Sequence, residues 1–157
     1  YVEKVQGDDL RFVLSHNSRA TLAFWQNVNE ELADYAYAPG KWTVKQLLNH
    51  IIETERICAY RALCMARGDE TPLPGFDENE YADAAIVSHR SLKDLVHELQ
   101  SVRSATLSLF GSFGDWELTR MGTVNGNAIS VNAIGYIIIG HALHHEGVAK
   151  DKYKIEA

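Results

Sequence analysis

Positive charge is in short supply in this chain of 157 residues: 15 Lys and Arg stand against 21 Asp and Glu, a formal net charge of −6 with a pI near 5.6. Without a basic stripe there is little to neutralise phosphates, and an anionic bilayer surface repels the chain. Both points argue against nucleic acid and membranes as partners. Long apolar runs are absent as well. No stretch reaches the roughly 18 consecutive apolar residues of a membrane span, and the opening YVEKVQGDDLRF lacks the basic and apolar segments of a secretion signal. These absences predict a cytoplasmic protein. Cysteine is limited to Cys58 and Cys64, which share one helical stretch but point to different faces, too far apart to pair. Both are expected to be buried, reduced thiols.

Several site signatures are missing in the same way. No Glu is followed three residues later by His, as ferritin-like di-iron bundles require. The zincin pattern His-Glu-x-x-His, the P-loop and the glycine-rich dinucleotide fingerprint do not occur. No local signature marks a serine triad.

What the chain does have is helical periodicity. Hydrophobic residues make up 46% of it, enough to close one core in a single domain over residues 1–157. Apolar or small positions at Leu10, Leu14, Asn17, Thr21, Phe24, Val28 and Leu32 step by three and four along one stripe until YAPGK breaks it. Thr43 with Gln46 forms a capping box that opens a second helix, striped by Val44, Leu47, Ile51, Glu55, Cys58, Ala62 and Met65. Pro72 and Pro74 mark the next stretch as loop. Ser88 is the expected cap of a third helix, with Leu92, Leu95, Leu99, Val102, Thr106, Leu109 and Phe113 along its stripe. Asn125-Gly126 predicts a tight turn, and Ser130 opens a last helix on which Ile134, Ile138, His141, His145 and Val148 stay in step. Four amphipathic helices of about twenty residues predict an all-α four-helix bundle. Periodicity leaves its topology open.

Of seven histidines, three crowd into YIIIGHALHHEGVAK near the end of the chain. His141 and His145 fall where the stripe calls for apolar residues. At i and i+4, two imidazoles project side by side and can reach one metal ion at about 2.0–2.1 Å. The competing reading is a hydrogen-bonded pair of core histidines. His144 could replace His145 at i+3, but it lies further round the helix and is expected to face solvent. A third ligand should come from another helix. His50, flanked by Leu47, Leu48, Ile51 and Ile52, is the candidate, whereas His16, His89 and His97 lie among polar residues and are expected to be solvated. Three imidazoles leave an open position, as in catalytic zinc sites, and the same donors suit nickel or iron. Glu53, one turn after His50, is read as a hydrogen-bond acceptor behind a ligand, as a further ligand, or as ordinary exposed charge.

The run GKWTVKQLLNHIIETERICAYRALCMARGDETPLPGFDENEY, together with GHALHHEGV at residues 140–148, resembles the DinB superfamily of DinB/YfiT-type metal-binding four-helix bundles over residues 10–153. The resemblance implies up-down-down-up connectivity, a homodimer, and a divalent metal (zinc, nickel or iron) held by His50, His141 and His145. Members with known activity include metal-dependent transferases that use a low-molecular-weight thiol, along with a maleylpyruvate isomerase. A transferase acting with such a thiol on a small electrophile is therefore the implied function. The alternatives are a metal-stabilised binding module without turnover and a metal-dependent hydrolase or isomerase. In the enzyme reading, Glu53 and Tyr60 are candidates to support the ligands. Where relatives often carry Arg-Gly-Gln after the final histidine, this chain has Glu146, Gly147 and Val148, so a role tied to that arginine is not expected here. Trp25, Trp42 and Trp116 are more indole than one small bundle readily encloses, which also points to a dimer interface.

Overall fold

Each long helix starts where a side chain can satisfy its first amides. In the computed structural model, which describes residues 9–156, Asp9 accepts from the amide of Arg11 at the head of α1 (Leu10–Gln26). A 3-10 turn at Glu30–Leu32 follows. Thr43 and Gln46 form the expected capping box at the start of α2 (Val44–Ala66). The short α3 (Glu78–Ala84), which periodicity did not announce, is held by Asp77 accepting from Asn79 and Glu80. The next helix, α4 (Leu92–Gly111), is capped by Ser91 rather than Ser88, because only Ser91 has an acidic partner three residues on: Asp94 accepts from its amide while its hydroxyl accepts from the Asp94 amide. After α5 (Asp115–Thr119) comes a hairpin of β1 (Met121–Val124) and β2 (Asn127–Ser130), turning at Asn125 and Gly126 with φ of 49° and 75°. These are the left-handed values that a two-residue hairpin turn demands. Ser130 then caps α6 (Val131–Tyr153).

Side-chain contacts fix the helix directions. Val44 and Leu48 at the start of α2 share an apolar cluster with Leu92 and Leu95 at the start of α4, while Met65 and Phe110 near their ends share the other, so α2 and α4 run parallel. Leu10 lies against Gly135, and Lys150 lies over Phe24, so α1 and α6 run parallel. Tyr153 meets Trp42 while His50 meets His141, which sets α2 against α6. The result is an up-down-down-up four-helix bundle. Two parallel neighbours cannot be joined by a short turn. Residues 67–91 therefore return along the full length of the 23-residue α2, about 34 Å.

Apolar residues fill the bundle as two clusters. Trp25, Leu48, Leu95 and Tyr153 belong to the one at the end where α2 begins; Leu14, Met65, Phe110 and Ile138 belong to the other. Between them every long helix contributes buried polar groups: Ser18 and Thr21 from α1, Thr54 and Glu55 from α2, Arg103 and Thr106 from α4, His141 from α6. Arg103 and Glu55 are only 1% and 2% exposed and meet through Nε at 2.8 and 3.0 Å from the two carboxylate oxygens. On α6 the buried stripe runs through Ala142, Glu146, Ala149 and Tyr153, which leaves His145 and Val148 half-buried beside it. Cys58 is buried, with its thiol pushed up to about 11 by that burial, whereas Cys64 is half-exposed. Trp25 is buried, Trp42 half-buried and Trp116 exposed. Among the described residues, no helix is long and apolar enough to cross a membrane.

Candidate metal centre

Near the middle of the bundle, α2 and α6 bring three imidazoles together. His50 Nε2 lies 2.9 Å from His141 Nε2, and His145 Nε2 lies 3.2 Å from His141 Nε2. All the ligand atoms of the three lie within 4.8 Å of one another. Three Nε2 atoms aimed at one point cannot each carry a proton there, so the cluster is arranged for something that accepts lone pairs. A tetrahedral ion with metal–nitrogen bonds of 2.0–2.1 Å separates its ligand nitrogens by about 3.3 Å. The separations of His50 and His145 from His141, 2.9 and 3.2 Å, lie within a few tenths of an ångström of that spacing.

Electrostatics favour the same occupant. Burial, then the neighbouring imidazoles, hold His141 down to about 2 and His145 down to about 3. Burial lowers His50 as well, opposed by the negative charge of Glu78. Neutral imidazole is the form that ligates. The other ring nitrogens are less well served. Thr54 Oγ1 stands 3.5 Å from His50 Nδ1, long for a hydrogen bond, and His145 Nδ1 is buried with no protein partner among the described residues.

The three histidines open onto a hollow of about 300 Å³ lined also by Trp42, Thr54, Phe76, Glu78 and His144. Trp42 packs its ring 4.9 Å from that of His50. His144, expected to face solvent, instead lines this hollow and stacks edge-on to His145 at 5.0 Å. His16, His89 and His97 are exposed and lie elsewhere. Tyr60 does not support the site: it is 61% exposed, ten residues beyond His50 and hence about 15 Å along α2. Glu53 is half-buried and does not line the hollow, and the group beside the outer nitrogen of His50 is Thr54. A helix advances 100° per residue, so i+4 returns closer to the face of His50 than i+3 does. Glu78, Phe76 and Trp42 carried no sequence signal because they come from irregular or very short segments. Glu146 is buried on the bundle side of α6, where burial pushes its carboxyl up against the pull of Thr21, Lys150 and Arg103.

The profile of the DinB superfamily matches residues 14–149. The chain belongs to the DinB superfamily. Among solved DinB-like folds, YfiT from Bacillus subtilis, described as a probable metal-dependent hydrolase with an unusual four-helix bundle topology, superposes with a TM-score of 0.74 at 20% identity. That match covers 93% of this chain and 83% of YfiT. A DinB-like protein of the same organism, YjoA, gives a TM-score of 0.61 at 13% identity, covering 89% of this chain and 86% of its own. At such identities the likeness is one of fold. In sequence, the chain is 33% identical over 85 residues to the Oceanobacillus iheyensis protein named "Putative metal-dependent hydrolase OB0413". The match takes in 51% of this chain and about half, 48%, of the relative. The family, the bundle and the three-histidine cluster agree on a divalent-metal-binding protein.

Proposed function

We propose that this DinB-superfamily protein is a metal-dependent hydrolase whose ion is held by His50, His141 and His145. The observation that carries the reading is the convergence of three neutral imidazoles on one point at the wall of a hollow. A divalent ion bound there supplies Lewis acidity at an open position and lowers the pKa of a water or thiol placed on it. Zinc, nickel and iron all suit the donor set.

Water and a low-molecular-weight thiol compete for that position. With an ion bound, a thiol at that position would lose its proton outright, whereas a water would call on a side chain to take its proton. Glu78 is well placed to take it, since it lines the hollow, is exposed at its mouth, and acts electrostatically on His50. Its carboxylate would take the proton as the water oxygen bonds to the substrate carbonyl and would return it to the leaving oxygen or nitrogen as the scissile bond breaks. Thr54 stands beside the outer nitrogen of His50, and Trp42 packs its ring at a tilt against that imidazole. Relatives named as hydrolases support the same reading. S-transfer with a thiol uses the same three histidines and leaves Glu78 without a role.

A panel of chromogenic esters and amides, offered to protein loaded with each metal, tests the choice. Chelation should abolish hydrolysis. Glu78→Gln should cut it about hundredfold with bound metal unchanged. Turnover that appears only with an added thiol and ignores Glu78→Gln would replace hydrolysis with S-transfer; tight metal binding without either turnover would leave a binding module.

A further inference from the structure

A second hollow of about 240 Å³ adjoins the first, and the two share Trp42 and His145. Its walls are mainly apolar: Tyr37, Trp42, Leu47, Val148 and Tyr153. Those rings are locked together. Tyr153 stands edge-on to Tyr37 with centroids 5.0 Å apart, and its hydroxyl donates to the carbonyl oxygen of Trp42 at 2.7 Å. Burial holds the Tyr153 phenol up to about 12, so it stays a neutral donor at any working pH. Trp42, fixed from that side, rests on His50 from the other. One wall of the chamber is thus a wall of the histidine cluster. Lys41, exposed, is its one charged side chain, and among the described residues no carboxylate lines it.

Size and chemistry define the occupant. An apolar cavity of about 150 Å³ is enough to take benzene, and pre-set aromatic walls spare a ligand the cost of ordering them. Resting on the hydrolytic reading above, we infer that the substrate carries an aryl or similarly bulky apolar group beside its reacting bond, and that this group sits in the Tyr37–Trp42–Tyr153 chamber while the bond lies over the histidines. Val148 and Tyr37 are then specificity-determining residues. They touch the group that is recognised, not the bond that reacts.

Two hydroxamates with the same metal-binding head test this on the zinc-loaded protein: acetohydroxamate, too short to enter the chamber, and phenylacetohydroxamate, which carries a ring. Calorimetry should show the ring-bearing compound binding about ten- to hundredfold tighter, the gain from burying one such group. Val148→Phe, which fills the chamber, should reduce that advantage to about threefold or less, with bound zinc and acetohydroxamate affinity kept. Tyr37→Ala lies in the loop before α2, where loss of a side chain does not disturb a helix, and it should erode the advantage in the same direction. Equal affinity for the two hydroxamates, or an advantage that survives both substitutions, overturns the inference while leaving the metal site standing. Failure of the unmodified protein to bind zinc or acetohydroxamate overturns the hydrolytic reading and this inference together.

Discussion

His144 and His145 are neighbours in sequence with different geometry. Only His145 puts its Nε2 within 3.2 Å of His141 Nε2 and joins the cluster with His50. His145→Ala should therefore remove one of three ligands and lose bound metal on dialysis by at least about tenfold, whereas His144→Ala should retain it within about twofold. Equal losses from the two would sink the assignment. This cluster was legible because its spacing is informative: an i,i+4 pair set among apolar residues, and a lone histidine flanked by Leu47, Leu48, Ile51 and Ile52. Glu78 and Trp42 were not. Each reaches the site from a stretch without periodicity, brought there by the path of a loop, and no local pattern encodes where a loop returns. Glu53 and Tyr60 show the converse: Glu53 is near His50 along the helix but turned away around it, and Tyr60 lies about 15 Å further along α2.

Among the elements, α2 carries the most information and the clearest omission. Its stripe places Glu55 on the buried face, and the structure agrees, with Glu55 2% exposed. What the stripe could not name is the partner. Arg103 lies next to Val102 on α4 and reads as a charge just off the apolar line, yet its guanidinium crosses the interior to Glu55 and comes within 3.3 Å of the Ser18 hydroxyl. Removing one member of such a pair strands the other. Glu55→Ala should cost about 3–5 kcal/mol in urea denaturation, because Arg103 is left charged and buried. Glu55→Leu combined with Arg103→Met should recover most of the loss, since an apolar pair of similar volume carries no desolvation cost. A double variant no better than the single one would mean that the pair is needed for the fold itself. The short α3 was missed for a related reason: with seven residues and only Ala82 buried, it is defined by its Asp77 cap and by its seat on α2, where Gln46 Nε2 donates to the Ala82 carbonyl at 3.4 Å.

Across the whole molecule, periodicity announced four helices but not their arrangement, because a stripe says which face is inward and nothing about which helix it meets. The topology became legible only through family resemblance, and physically it rests on the long return of residues 67–91 between parallel neighbours. That arrangement places a polar layer between two apolar clusters, with the histidines joining α2 to α6 beside it. The layer makes stability depend on pH in a definite direction. Folded His141 is held down to about 2, whereas the unfolded chain protonates it near 6.5. Above that value both states are neutral and the residue contributes no pH dependence. Below it the unfolded state binds a proton that the folded state refuses, so stability falls as pH drops, by about 2 kcal/mol at pH 5 from His141 alone. Metal acts in the opposite sense, binding the folded cluster and adding about 4 kcal/mol at a thousandfold excess over its dissociation constant. Urea melts of metal-free protein at pH 7.5, 6 and 5 should lose stability in that order, and His141→Leu should make the trend shallower, with His145 and His50, also held down by burial, keeping the rest of it. Saturating zinc at pH 7.5 should raise the midpoint of the unmodified protein and leave that of His141→Leu little changed. A metal-free protein equally stable across this range would show that His141 is not held neutral by its surroundings, and the electrostatic basis of the centre would fall with it.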